Sequence, residues 1–239
     1  MVYNAFSALT RGFLPPYCLL CLSGESVGDD YLCSGCKAEL PWLRHCCEIC
    51  SLPLTAATAS RCGRCQQQHP TFDCCVGAFF YADPIARLIS DYKYRAKLNY
   101  GRVLGLQLAT RLAHHYQQQV LPAVVVPVPL HRSRLRSRGF NQSLELAKTV
   151  AGQLGMPVAH HHLVRCKATS SQKDLQLNDR QRNVRDAFAI REKHPLPATV
   201  ALIDDVVTSG ATVAELARLL KQNGVQKVHV WCVARTERG

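Results

Sequence analysis

The 239-residue chain has no uninterrupted apolar run approaching the roughly eighteen residues that a spanning helix needs, so a membrane-spanning protein is not expected. It also lacks a basic start followed by an unbroken apolar core, and Pro15-Pro16 interrupts the one candidate, so a secretory signal is not expected and the setting reads as cytoplasmic. Acidic residues are scarce, 17 against 29 Lys and Arg. The ten histidines show no ligand spacing of their own, and His160-His161-His162 reads as an exposed run. No cysteine–histidine–acid arrangement of a covalent nucleophile stands out.

Cysteine, by contrast, is abundant, with 13 residues. Cys18-x2-Cys21 and Cys33-x2-Cys36 recur as Cys47-x2-Cys50 and Cys62-x2-Cys65, each displaced by 29 positions. Two cysteines so spaced grip one metal ion from a tight knuckle, and two knuckles complete the four-thiolate tetrahedron that structural Zn²⁺ prefers. A reducing compartment disfavours disulfides, and paired knuckles at equal separation suit zinc better than an iron–sulfur cluster. Two structural zinc ions are therefore expected, in closed shells with no open position for a substrate. The spacing alone permits sequential or interleaved grouping, with Cys46 as an alternative to Cys47. Cys74, Cys75, Cys166 and Cys232 read as small core residues.

A second signal lies near the far end. Val200 to Ile203 form an apolar run, followed by Asp204 and Asp205, then Thr208-Ser209-Gly210-Ala211-Thr212 and a helical pattern with Val213, Leu216, Leu219 and Leu220 on one face, closed by Asn223-Gly224. This is a strand, a small-residue turn and a helix N-terminus, which together can aim several main-chain N–H groups at one phosphate. The two carboxylates would repel that phosphate if they shared its position. They suit the hydroxyls of an attached sugar, or hydrated Mg²⁺.

Val124 to Pro129 read as another buried strand, followed by Arg132, Arg134, Arg136 and Arg138, then Gly139-Phe140 and a helix that Asn141 caps. Alternate spacing in an extended loop would place the four arginines on one side, suited to a pyrophosphate or a nucleic-acid backbone. Lys93, Arg95 and Lys97 lie near Tyr92, Tyr94 and Tyr100; the pattern permits backbone contacts beside stacking aromatics on a single strand, although core-facing positions of a helix explain these tyrosines better.

The segment from Val200 to Thr212 resembles the ribose-phosphate signature of the type I phosphoribosyltransferases. The resemblance implies that Asp204 and Asp205, the catalytic candidates, contact the ribose 2- and 3-hydroxyls of phosphoribosyl pyrophosphate. It implies that Val207, Thr208, Ser209, Gly210, Ala211 and Thr212 hold the 5-phosphate, with Mg²⁺ accompanying the ligand. Pro127-Val128-Pro129-Leu130, Arg134 and Arg138-Gly139-Phe140-Asn141-Gln142 resemble the ComF/GntX-like family, as do Gln172-Lys173, Leu175, Arg180, Asn183 and Phe188. That likeness implies a role in the use or uptake of external DNA, a double zinc ribbon, single-stranded DNA as a partner, and DNA-uptake or recombination proteins as further partners. In the wider transferase fold a mobile segment closes over the site, here at about 166 to 187.

The expected architecture is α/β: a zinc-ribbon module over 1–70 and a phosphoribosyltransferase-like domain over 71–239, with a parallel sheet flanked by helices. Strands are expected near 76–81, 123–128 and 228–233, and helices over roughly 84–97, 101–118 and 141–154. Up to residue 75 there are five Lys and Arg against six Asp and Glu, and beyond it 24 against 11, so the surplus of positive charge belongs to the second domain and suits a polyanion. Two function classes follow: a DNA-handling protein with a retained sugar-phosphate site, or an active transferase moving the phosphoribosyl group to a nitrogen acceptor. About 70 residues of zinc module occupy the place of the glutaminase domain of amidophosphoribosyltransferases, so glutamine-dependent chemistry is not expected.

Overall fold

The computed structural model describes residues 17–24, 27–28, 30–55, 58–167, 184–191 and 195–237. Gln172, Lys173, Leu175, Arg180, Asn183 and most of the expected mobile segment lie outside them. The chain divides into two compact units, Met1–Leu40 and Pro41–Gly239. The first four-cysteine group falls in the smaller unit and the second in the larger, so the cysteine repeat and the compact units partition the chain differently.

In the smaller unit, the Cys33 sulfur caps helix α1 (Ser34–Glu39) by accepting from the Cys36 amide at 3.4 Å. A sulfur at a helix start meets amides that have no partner within the helix.

The larger unit is built on a four-stranded parallel sheet. Its strands are β1 (Cys74–Phe80), β2 (Val124–Pro127), β5 (Thr199–Val207) and β6 (Lys227–Arg235), in the order β1-β6-β5-β2. Parallel strands are covered on both faces and need continuous apolar runs; Val200, Ala201, Leu202 and Ile203 are all fully buried. Among the described residues, helices α2 (Gly63–Gln67), α3 (Ile85–Arg95), α4 (Leu98–His115), α5 (Arg132–Arg138), α6 (Gln142–Leu154) and α7 (Ala211–Gln222) belong to the same unit. Strands β3 (Leu163–Arg165) and β4 (Phe188–Ile190) pair antiparallel, outside the expected elements.

Helices α4 and α6 pack together against the sheet, α4 on β1 and β6, α6 on β2 and β5. Helix α3 buries Ile85, Leu88, Ile89 and Tyr92, the i, i+3, i+4, i+7 positions of one face. Tyr92 reaches the Gln142 carbonyl at 2.9 Å, and a Cβ on Gly101 would fall 2.4 Å from its ring. Helix α7 shares a hydrophobic cluster with Phe72, Cys75, Phe188, inward residues of β2, β5 and β6, and the second cysteine group. The second ribbon is thus part of this unit's core. Cys75 and Cys232 are buried as expected and Cys74 is partly so, whereas Cys166 is exposed, having left the short β3 strand into the loop that follows. Among the described residues, no helix is long and apolar enough to cross a membrane.

Candidate functional site

β5 runs four residues past Ile203, so Asp204 and Asp205 lie on the strand itself and the turn begins only at Thr208. Successive side chains of a strand point to opposite faces, so the two acids take different partners. Asp204 Oδ1 accepts from the Ser143 hydroxyl at 2.8 Å and from the Asp205 amide at 2.9 Å. Asp205 Oδ1 accepts from the Val206 amide at 2.9 Å, and its Oδ2 lies 2.5 Å from Lys93 Nζ. Desolvation pushes the Asp204 carboxyl above its ordinary range, against the opposing pull of Lys93, Ser143, Arg165 and Arg138.

Thr208 to Gly210 form the turn, and α7 starts at Ala211. Gly210 has φ 78°, the left-handed conformation that only glycine adopts without strain. Ser209 Oγ accepts from the Ala211 amide at 3.4 Å, whereas the amides of Ser209 and Gly210 donate to no protein acceptor among the described residues. A cavity of about 1070 Å³ opens in front, lined by Asp204 to Thr208, Gly210 to Val213, Lys93 to Ala96, Val128 to Leu130, Arg134, Arg138, Gln142, Arg165, Tyr81 and Thr236. It lies at the carboxyl ends of β2 and β5, where open α/β sheets bind ligands.

The expected extended arginine loop is instead helix α5. The His131 ring caps it by accepting from the Ser133 amide at 3.3 Å, and Gly139, at φ 84°, ends it. In a helix, residues four apart share a face, so Arg134 and Arg138 line the cavity while Arg132 and Arg136 are exposed outside it. Arg138 donates to Gln142 Oε1 at 2.5 Å, and its guanidinium stands 5.5 Å from the centroid of the Tyr94 ring. The tyrosines also divide: Tyr92 is core, whereas Tyr94 is 67 % exposed at the rim.

Sequence reasoning missed Arg165, Gln142, Tyr81 and Thr236 as lining residues. It read Lys93 only as part of a basic cluster that permits nucleic-acid backbone contacts, whereas its ammonium pairs with Asp205. Each reaches the cavity from a different element, so no local spacing carries the signal.

The cysteines group sequentially: Cys18, Cys21, Cys33 and Cys36 form one cluster and Cys47, Cys50, Cys62 and Cys65 the other, their sulfurs within 4.8 Å of one another. Cys46 stands outside both. Cys21 and Cys33 sulfurs are 3.7 Å apart, as are those of Cys50 and Cys62. A tetrahedron with Zn–S bonds of about 2.3 Å has edges of about 3.8 Å, so both clusters fit structural zinc. Burial opposes ionisation of Cys47, but amides of Cys62, Cys50 and Ile49 outweigh it and lower the thiol to about 7. The same balance lowers Cys18 to about 6, with amides of Cys21, Cys33 and Leu20. Each cluster therefore holds one thiol ready to lose its proton to a metal.

Residues 9–66 match the family model of a double zinc ribbon domain. The chain is 34 % identical to competence protein F of Haemophilus influenzae over 225 residues, 91 % of this chain and 96 % of that protein. It is also 34 % identical to DNA utilization protein YhgH of Escherichia coli over 228 residues, 93 % of this chain and 98 % of that one. Among solved structures it is similar to the glutamine phosphoribosylpyrophosphate amidotransferase of B. subtilis complexed with ADP and GMP. That match has a TM-score of 0.40 and 20 % identity, over 60 % of this chain and 30 % of that chain.

Proposed function

The chain belongs to the family of competence protein F and DNA utilization protein YhgH, and from that membership we propose that it acts in the use or uptake of DNA and carries a phosphoribosyl pyrophosphate-type site. The carrying observation is the pairing, on one cavity, of a turn whose Ser209 and Gly210 amides have no protein acceptor with the adjacent acids Asp204 and Asp205. The amides take the 5-phosphate. The acids take the ribose hydroxyls, directly or through Mg²⁺, and Arg134 and Arg138 take the pyrophosphate.

A deoxyribose within a DNA strand offers no free pair of neighbouring hydroxyls, so the cavity holds a separate ribose-based ligand. The DNA contact lies outside it, on the exposed Arg132 and Arg136, where backbone phosphates of a single strand are reachable.

The acid pair also favours a second reading, an active transferase. In that reading a nitrogen nucleophile attacks C1 of the ribose as the bond to pyrophosphate breaks, and Arg134 and Arg138 stabilise the departing charge without a covalent protein nucleophile.

Isothermal titration with phosphoribosyl pyrophosphate and Mg²⁺, and separately with single-stranded DNA over a salt series, tests the proposal. It expects both ligands to bind, with Asp205→Asn weakening only the sugar phosphate. Absence of sugar-phosphate binding to the wild type overturns the site. Release of pyrophosphate with a nitrogen acceptor present selects the enzyme.

A further inference from the structure

The carbonyls of Val207, Thr208 and Ser209 all turn toward guanidinium groups tied to the second cysteine ribbon. Arg235, 4 % exposed, donates from Nη1 to the Val207 carbonyl at 2.9 Å and to the Thr208 carbonyl, and from Nε to the Cys50 carbonyl at 3.0 Å. Arg64, in α2 between Cys62 and Cys65, donates from Nη1 to the Ser209 carbonyl at 3.3 Å. Thr71, just beyond the ribbon, donates to the Ala214 carbonyl at 2.5 Å, so the first turn of α7 is tied down as well.

In a planar trans peptide the carbonyl of one residue and the N–H of the next point in opposite directions. Three carbonyls pinned at the back of the turn therefore direct three amides, those of Thr208, Ser209 and Gly210, toward the front. The front is cavity wall: Thr208 and Gly210 line it, and Arg64 and Arg235 do not.

We propose that the second ribbon is a working part of the anion site, with Arg64 and Arg235 as positioning residues that hold the turn's amides aimed at a phosphoryl group. Cys47, Cys50, Cys62 and Cys65 fit zinc, and the metal would fix α2, which carries Arg64, and the Cys50 carbonyl, which anchors Arg235 at the end of β6. A turn lined with small residues gains little from its own side chains. Its rigidity comes from outside, and a fixed array of donors binds an anion more tightly than one that must be ordered on binding. The inference rests on the phosphoribosyl pyrophosphate-type reading of the same cavity.

The test is Arg64→Gln in the full-length, zinc-loaded protein, with Arg61→Gln as the charge control. Arg61 lies in the same ribbon but pairs with Glu48 at 2.5 Å. With phosphoribosyl pyrophosphate and Mg²⁺ as the probe, Arg64→Gln weakens binding about tenfold, the size expected for one charge-assisted hydrogen bond. Zinc content and Tm stay at wild-type values, and the Arg61 control binds as wild type. The Ser209 and Gly210 amide resonances, which shift on adding the probe to wild type, shift less in the variant.

Arg235→Lys keeps the charge but loses the planar fork and weakens binding further. Should that buried change prevent folding, Arg64→Gln still decides. If Arg64→Gln binds as tightly as wild type with the same amide shifts, the positioning role is overturned while the phosphate site stands. If wild type itself neither binds nor shifts those amides, the phosphate reading fails and this proposal fails with it.

Discussion

Lys93 Nζ lies 2.5 Å from Asp205 Oδ2, joining the end of α3 to the end of β5 across the cavity wall. The carboxylate is buried and the ammonium largely so. A buried carboxylate needs a counter-charge, and here the protein supplies one at the position where a Mg²⁺ ion or ribose hydroxyls would otherwise sit. In the phosphoribosyl pyrophosphate-type reading, Lys93 would therefore both stabilise the ligand-free protein and compete with the ligand for Asp205.

Lys93→Met separates these two effects. Removing the ammonium leaves Asp205 buried without its partner, and the metal-free protein loses about 2–3 kcal/mol, toward the low end for broken buried pairs because Lys93 retains some solvent contact. Mg²⁺ then meets no competitor and raises Tm by more in the variant than in wild type. Thermal melts with and without millimolar Mg²⁺ measure both. Equal Mg²⁺ responses would show that Asp205 is not a cation site.

Asp204 gives a pH dependence whose sign follows from desolvation. Its carboxyl is raised in the folded state, so the fold holds that proton more tightly than the unfolded chain does. The stabilisation is present below the ordinary carboxylate range and disappears as pH rises through the raised value. At neutral pH the ionised, desolvated group is a cost. Asp204→Asn therefore raises Tm at pH 7 by about 2–4 °C, the change that about 1 kcal/mol produces in a chain of this length. The gain shrinks as pH falls through the raised value and is gone by about pH 4, the ordinary carboxylate range, where the wild-type acid is protonated in the folded and unfolded chain alike. Melting curves from pH 4 to pH 8 test the trend; a gain that grows on acidification would contradict it.

What the sequence made legible was whatever a short window encodes. The β5 run, the Asp-Asp pair, the small-residue turn and the amphipathic stripe of α7 are contiguous, and the knuckles recur at fixed spacing. The helix over Arg132–Arg138 was misread because its serines and arginines alternate with the period of a strand. The His131 cap and Gly139 stop decide for a helix, and both act from outside the alternating run. The strands Leu163–Arg165 and Phe188–Ile190 are too short to show a period. Lys93 and Arg165 meet the cavity only through tertiary packing, and so do the arginines behind the turn.

Zinc removal should destabilise the larger unit and not merely free an appendage. Cys47, Cys50, Cys62 and Cys65 share one hydrophobic cluster with Phe72, Val213, Leu216 and Leu220, so loss of the metal loosens the packing of α7 on the sheet. Elemental analysis should find about two zinc ions per chain, and a strong chelator should lower Tm with loss of the near-ultraviolet dichroism of the sheet's aromatic residues. Substantially fewer than two ions in freshly purified protein, or an unchanged melt after chelation, would contradict the assignment.

The division of the α5 arginines yields the sharpest separation of the two ligands. Arg132 and Arg136 are exposed outside the cavity, whereas Arg134 and Arg138 line it. If the exposed pair contacts backbone phosphates, Arg132→Ala with Arg136→Ala removes two contacts from a single strand. The magnitude of the slope of log affinity against log salt then falls by about 1.4, at about 0.7 per phosphate. Phosphoribosyl pyrophosphate affinity is unaffected, because neither side chain reaches the cavity. Arg134→Ala should do the reverse, weakening the sugar phosphate about tenfold or more through loss of a charge-assisted contact and leaving the DNA salt slope intact. Should both substitutions weaken both ligands in parallel, the strand and the sugar phosphate would have to share one binding surface, and the small-ligand cavity could not be separate from the DNA contact.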